Sequence, residues 1–276
     1  MMRIAALLTV HNRKEKTLKC LRALKAQKLP LGCEIDIYLT DDGCTDGTPE
    51  AIASEFPEIN IVKGDGNLFW NRGMYRAWEA ASNAYDYDWY LWLNDDTTLL
   101  PDALNSIIEE AIECPDSVIV GSTYSTTDPY KLTYGGQMHG QKIYPDGSLQ
   151  QCETFNGNIV LISRSIFHLI GNLDWTYEHA IGDLDYGWMV THAGRNNYIS
   201  RGFRGICDNN SEPPVWMRPE IPFRARWANF HSPLGYSQPT TMFHFNYKNF
   251  GIVRAVKVMA SNHLRLIFPR IWARMR

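Results

Sequence analysis

The chain has 276 residues, 45% of them hydrophobic, which suits one large α/β domain with a sizeable core, alone or with a small appendage. Lysine and arginine total 27 against 30 aspartates and glutamates, a net charge of −3, which excludes nucleic acid as a partner held by broad phosphate neutralisation. Six scattered cysteines have no C-x-x-C spacing, which excludes a zinc cluster and predicts free thiols in a reducing cytosol.

The apolar run at residues 4–9 reads as a buried strand. It is too short for a signal peptide and passes into His11-Asn12-Arg13-Lys14 with no small-residue cleavage site. Leu18, Leu21, Ala23 and Leu24 recur at helical spacing and predict a helix over 14–27. Strands are expected at 34–40, 59–62, 89–93 and 117–121. Helices are expected at 49–56, with Pro49 in the first turn, at 70–83 and at 101–114. This alternation predicts a mostly parallel sheet covered on both faces, with ligands beyond the carboxyl ends of the strands.

After about residue 122 the pattern loosens. Loops and hairpins are expected over 124–151, a strand at 158–163, short helices at 164–170 and 183–193, and a long ordered loop over 208–236. A helical region over 250–276 is interrupted at Pro269. No run of about 18 apolar residues exists, so no membrane span is expected, and the expected location is cytoplasmic.

Three polar segments directly follow strands. The first holds Thr9, His11, Asn12 and Arg13. The second, Asp41-Asp42-Gly43-Cys44-Thr45-Asp46-Gly47-Thr48, offers carboxylates for a nucleobase and a ribose, and equally fits a turn leading to a helix cap. The third, Asn94-Asp95-Asp96, offers oxygen ligands suited to Mg²⁺ or Mn²⁺, a reading that its strand-end position favours over an acidic loop before the next helix. The glycine-rich entry to a helix around Asn67 and Arg72 could serve phosphate or sugar groups. Gly182-Asp183-Leu184-Asp185 brings a second acidic pair at a helix start, where a base or a dipole partner would sit. His231 is a loop histidine that could ligate a metal.

From residue 251 onward six basic residues (Arg254, Lys257, Arg265, Arg270, Arg274 and Arg276) mix with apolar ones and no acid. Such a tail fits peripheral contact with the inner face of an anionic membrane. It fits equally well packing on the domain, or against a second copy in a homodimer.

In order and character these segments resemble family 2 glycosyltransferases of the GT-A fold. The 41–48 segment is similar to that family's D-D-G-S-T-D-G-T segment, with Cys44 for Ser. Asn94-Asp95-Asp96 is similar to its D-x-D-like metal motif, and Gly182-Asp183-Leu184-Asp185 to its E-D-x-D motif with Gly182 for Glu. His231 together with Phe243-His244-Phe245-Asn246-Tyr247-Lys248-Asn249 resembles the H…Y-Y-x-x-R-N end of rhamnosyltransferase-like members, with Lys248 for Arg.

The resemblance implies a GT-A, Rossmann-like α/β sheet flanked by helices, with a C-terminal helical extension. Residues 1–250 would form the transferase domain, 1–121 binding the nucleotide sugar and 122–250 the acceptor, followed by the basic tail at 251–276. It implies an inverting, metal-dependent enzyme using a UDP- or dTDP-sugar and a saccharide acceptor, free or lipid-linked, in bacterial surface polysaccharide synthesis. Thr9, His11, Asn12, Arg13, Asp41, Asp42, Asn67, Arg72, Asn94 and Asp95 would bind the donor, with Asp42 on the base imide. Asp96 and His231 would hold Mg²⁺ or Mn²⁺, Asp183 would be the base, and Asn156, Gly157, Asn158 and Asp185 would face the acceptor. A sugar nucleotidyltransferase is the other enzyme reading, although the glycine-rich loop it needs after the first strand is missing. A carbohydrate-binding protein on a degenerate transferase fold is the non-enzymatic one.

Overall fold

The first strand, β1 (Met2–Val10), runs through the middle of the sheet and is buried from Ile4 onward. The computed structural model describes residues 1–209 and 212–273. Strand geometry sends alternate side chains of β1 to opposite faces. Ile4, Ala6, Leu8 and Val10 join one core with α1 (Lys14–Lys25), α2 (Thr48–Glu55) and α4 (Ala103–Glu113). Ala5 and Leu7 join the other with α3 (Phe69–Ala84), α5 (Arg164–Ile170) and α6 (Gly182–His192). In that second core Trp78 packs against Tyr90, Trp92, Phe167 and Tyr186.

β2 (Cys33–Asp41) and β4 (Trp89–Leu93) flank β1 in parallel, and β3 (Asn60–Lys63) extends β2 in parallel. This half is as expected for crossover helices on both faces. Beyond β4 the sheet is mixed. β12 (Ile159–Ser163) lies antiparallel between β4 and β6 (Ser117–Ser125), and β6 crosses residue 121, so the sheet is continuous from one half to the other. Three short strands close the rim: β5 (Thr98–Leu99), β7 (Asp128–Leu132) and β10 (Gln150–Cys152). β8 (Gly136–Met138), β9 (Gln141–Lys142) and β11 (Thr154–Phe155) form a separate small sheet.

One long strand lies outside the elements expected from the sequence. β13 (Asn196–Ile206) pairs in parallel with β6 and antiparallel with β5 and β10. Arg201, Gly202, Arg204 and Gly205 break its alternation, and register shifts interrupt its pairing after Ile199. The segment expected as a loop over 208–236 contains α7 (Phe223–Phe230) and two single 3₁₀ turns (Val215–Met217 and Pro233–Gly235). Then follow α8 (Pro239–Phe250), α9 (Ile252–Ile267) and α10 (Pro269–Ala273). Trp216, Phe230 and Leu266 form their own small core. No helix among the described residues is long and apolar enough to cross a membrane. Arg274 and Arg276 of the basic tail lie outside the described residues.

Candidate functional site

The carboxyl ends of β1 and β4 meet at one ion-pair cluster. β4 is buried throughout, which fixes the point where its polar continuation emerges. Arg13 Nη1 donates to Asp95 Oδ1 at 2.9 Å and to Asp96 Oδ2 at 3.0 Å. Asp95 Oδ2 accepts from Thr17 at 3.3 Å, and Asp96 Oδ1 from the Cys207 thiol at 3.5 Å. Asn94 Oδ1 accepts from the Trp70 indole at 2.7 Å. Burial pushes the Asp95 carboxyl up to about 6 despite the attraction of Arg13, with Asp96 adding to the rise.

Asp183 faces the same cleft from the first turn of α6. Its oxygens accept the backbone N–H groups of Gly157 at 3.0 Å and Leu184 at 2.9 Å. Burial still outweighs these bonds and pushes its carboxyl up to about 6, a value suited to a base near neutral pH. Ile181, just before this helix, has φ 81°, a strained conformation for a β-branched residue. Asn12, Phe69 and Tyr236, in other segments around the cleft, also have positive φ. Such strain costs about 1–3 kcal/mol per residue and collects where surrounding structure fixes a site.

Two cavities meet here. One of about 420 Å³ is walled by Arg13, Asn94, Asp95, Asp96, Asn156, Asn158 and Asp183 among others. The other, of about 320 Å³, is walled by Thr9, His11, Arg13, Asp42 and Asp95, with Trp70 and His179 common to both. A third, of about 750 Å³, shares Tyr134, Asn156 and Tyr236 with the first and extends away from it. Gly157 lets Trp70 approach, since a Cβ there would lie 2.5 Å from the indole ring.

Several expected donor residues hold the pocket's frame. Asp42 lines the smaller cavity, but its carboxylate accepts the backbone N–H groups of Gly66, Leu68 and Phe69, with distances from 2.9 to 3.2 Å. Its oxygens therefore anchor the loop before α3 instead of projecting freely towards a base. Asp41 Oδ1 accepts from Cys44 N at 2.9 Å, and Asn12 Oδ1 from Thr45 N at 2.7 Å, so both fix the 41–45 turn. The His11 ring nitrogen bonds the Asp42 carbonyl at 2.6 Å.

Four others stand outside the cleft walls. Asn67 is exposed and bonds Asp65. Arg72 bonds the Trp175 carbonyl at 3.0 Å and pairs with Glu178 at 3.4 Å, tying α3 to the 174–178 loop. Asp185 is 1% exposed and accepts from Lys248 at 2.6 Å and Asn249 at 2.7 Å, so it clamps α8 to α6 and does not face an acceptor. His231 caps α7, bonds the Trp227 carbonyl at 3.0 Å and packs at a tilt on the Trp227 ring, apart from Asp96.

His179 is a cleft residue that the sequence reading passed over. It lies between Phe69 and Tyr236, its Nδ1 is buried without a hydrogen-bond partner among the described residues, and burial together with Arg13 lowers its pKa to about 4. It is therefore a neutral imidazole with a free ring nitrogen in the wall of both smaller cavities. Its position next to Gly182-Asp183 was the only available signal.

The Asn94-Asp95-Asp96 oxygens suit a hard cation. Among the described residues, however, no three histidine, cysteine, aspartate or glutamate side chains gather as a ligand set. Arg13 already bridges both carboxylates. Asp96, with 22% of its side chain exposed, is the residue that can take a metal together with substrate phosphates, provided that Arg13 releases it.

The departure at Gly182 has a packing cause. A Cβ there would lie 1.7 Å from Asn71 Oδ1, and Asn71 is fully buried, held by bonds to the carbonyls of Asp174 and Tyr177. A glutamate at 182 does not fit this backbone.

Comparison with known proteins gives three findings. Residues 6–171 match the model of glycosyl transferase family 2. N-acetylglucosaminyl-diphospho-decaprenol L-rhamnosyltransferase of Mycobacterium tuberculosis is 24% identical over 203 residues, 63% of this chain and 66% of that protein, just under two thirds of its length. The structure of S. aureus TarS aligns with 98% of this chain and 53% of its own, at 10% identity and a TM-score of 0.58, a likeness of fold. The family match covers more than half of the chain, including β1, β2 and β4 and the segments after them that build the cleft, and the chain belongs to glycosyl transferase family 2.

Proposed function

We propose that the chain moves a hexose from a uridine or thymidine diphosphate donor onto a hydroxyl of a saccharide acceptor, with inversion at the anomeric carbon. The observation that carries this reading is that Arg13, Asp95, Asp96 and Asp183 wall a single cavity. The nucleoside would occupy the smaller cavity beside Thr9 and His11, in the frame held by Asn12, Asp41 and Asp42. The diphosphate would lie towards Arg13, Asn94 and Asp95. Mg²⁺ or Mn²⁺, when bound, would sit on Asp96 with phosphate oxygens and offset the charge growing on the leaving diphosphate.

Asp183 takes the proton of the acceptor hydroxyl. The hydroxyl oxygen bonds the anomeric carbon from the side opposite the diphosphate, whose bond to that carbon breaks. Asn156, Gly157 and Asn158 would border the acceptor, and the cavity of about 750 Å³, shared through Asn156, has room for its further sugars. Residues 1–121 would serve the donor, 122–250 the acceptor, and 251–276 would be the tail. The name of the mycobacterial relative, with its diphospho-decaprenol acceptor, supports a lipid-linked acceptor here. A place in bacterial surface polysaccharide synthesis is part of the same proposal.

Calorimetric titration of UDP- and dTDP-hexoses with Mn²⁺ present tests this reading. Binding of one of them, lost in Asp96→Ala, is expected. If no nucleotide sugar binds, the proposal fails.

A further inference from the structure

Every acidic residue of the chain precedes Ile221. Residues 1–220 hold 18 basic and 30 acidic side chains, and residues 221–276 hold nine basic ones and no acid, so the two parts carry −12 and +9. Two cations of the basic part have internal tasks. Arg226 is buried and bonds the Leu266 carbonyl, and Lys248 pairs with Asp174 and Asp185. Arg224, Arg254, Lys257 and Arg270 are exposed, and none of them pairs with a carboxylate among the described residues.

α9 adds an apolar face to this charge. Its inner side buries Ala255, Asn262 and Leu266; Leu266 packs with Trp216 and Phe230, and its carbonyl accepts from Arg226. Its outer side carries Val253, Val256, Ala260, Leu264 and Ile267, continued by Ile271 of α10, at steps of three or four residues. The large members of this stripe are 48 to 65% exposed. A contiguous apolar stripe on the surface marks an interaction site.

Charge decides the occupant. Pairing this face with its copy would bring together two acid-free surfaces and repel. An anionic lipid surface offers both an apolar phase for the stripe and phosphates for the cations. The −12 body is repelled by the same surface, which orients the chain with residues 221–276 down.

We propose that the α9 stripe, with Arg254, Lys257 and Arg270, docks the chain on an anionic lipid surface. The same segment supplies Leu234 and Tyr236 to the walls of the site cavities, so docking links the acceptor side to that surface. This last link rests on the transferase reading above; the docking itself does not.

The test is co-flotation of the full chain with vesicles of phosphatidylcholine alone or mixed with phosphatidylglycerol. Binding is expected only to the mixed vesicles and should weaken as salt rises. Leu264→Glu/Ile267→Glu should reduce it at least tenfold. Lys257→Glu/Arg270→Glu should reduce it by roughly fivefold for each charge removed. Both pairs lie on the surface, so urea unfolding and nucleotide-sugar binding should stay at wild-type values. No binding to mixed vesicles, or binding that neither pair alters, overturns the proposal. So does a concentration-dependent dimer that Leu264→Glu/Ile267→Glu abolishes in a chain that ignores vesicles, because the stripe then belongs to a second copy. Donor titration on the same samples separates failure of docking from failure of the transferase reading.

Discussion

Lys248 of α8 donates to Asp185 of α6 at 2.6 Å, two residues from the carboxylate that faces the cleft. The same ammonium reaches Asp174 at 2.9 Å, and Asn249 donates to the other oxygen of Asp185. The C-terminal helices are thereby fastened to the helix that carries Asp183. Lys248→Met would leave a buried carboxylate short of its cation. A loss of about 3 kcal/mol in urea unfolding is expected, near the low end for a broken buried pair because Asn249 still donates. The double change Lys248→Met/Asp185→Leu should recover much of it, and an equal loss in both proteins would contradict the clamp.

Arg13 is the resident counter-charge of Asp95 and Asp96, so a metal has to compete with it. Arg13→Met should tighten binding of Mn²⁺ alone on the order of tenfold, as removal of one competing charge in a half-exposed site would. The same change should weaken donor binding in the presence of metal. Paramagnetic resonance of free Mn²⁺ reads the first effect and calorimetry the second. Unchanged Mn²⁺ affinity would mean that Arg13 does not guard the carboxylates.

Asp183 and Asp95 both stand near 6, above an ordinary carboxyl at 3.8, because burial disfavours their charge. A base of this kind must be ionised, so kcat/KM should rise with pH through about 6 and then level off. His179, held near 4, stays neutral over this range and should add no second limb. Stability runs the other way. Between about 6 and 3.8 the folded chain binds more protons at these two sites than the unfolded chain. Their burial penalty is therefore full above that window and is relieved as pH falls through it. A pH–rate profile of Asp183→Asn that keeps the limb near 6 would assign it to another group.

Gly182→Ala should destabilise by about 1–3 kcal/mol, as overpacking does. The added methyl would collide with Asn71, whose amide already holds two backbone carbonyls. Donor binding should survive, because neither Gly182 nor Asn71 lines the cavity beside Thr9 and His11. Thermal unfolding and calorimetry measure the two effects, and an unchanged melting temperature would show that Asn71 yields easily.

The strand ends were legible because their residues serve one purpose. Trp89 to Leu93 are apolar without interruption, and the polar residues that follow can only emerge at the sheet edge. Asp183 and Asp185 were equally attractive as neighbours in sequence, but residues two apart do not share a helix face, so only one can see the cleft. Arg72 and His231 carried suitable chemistry at plausible positions, yet packing against Trp175 and Trp227 turned them elsewhere. β13 was invisible because a strand with two glycines, two arginines and shifted register shows no alternation. His179 needed its three-dimensional neighbours, Phe69 and Tyr236, which lie far from it in the chain.

The proposed transfer depends on Asp183 as its base. Donor affinity and single-turnover transfer, measured together for the wild type and Asp183→Asn, test it most directly. Donor binding within about twofold of wild type is expected, with transfer reduced by roughly 10²- to 10⁴-fold, the size of a lost general base. Transfer at the wild-type rate in Asp183→Asn would contradict it.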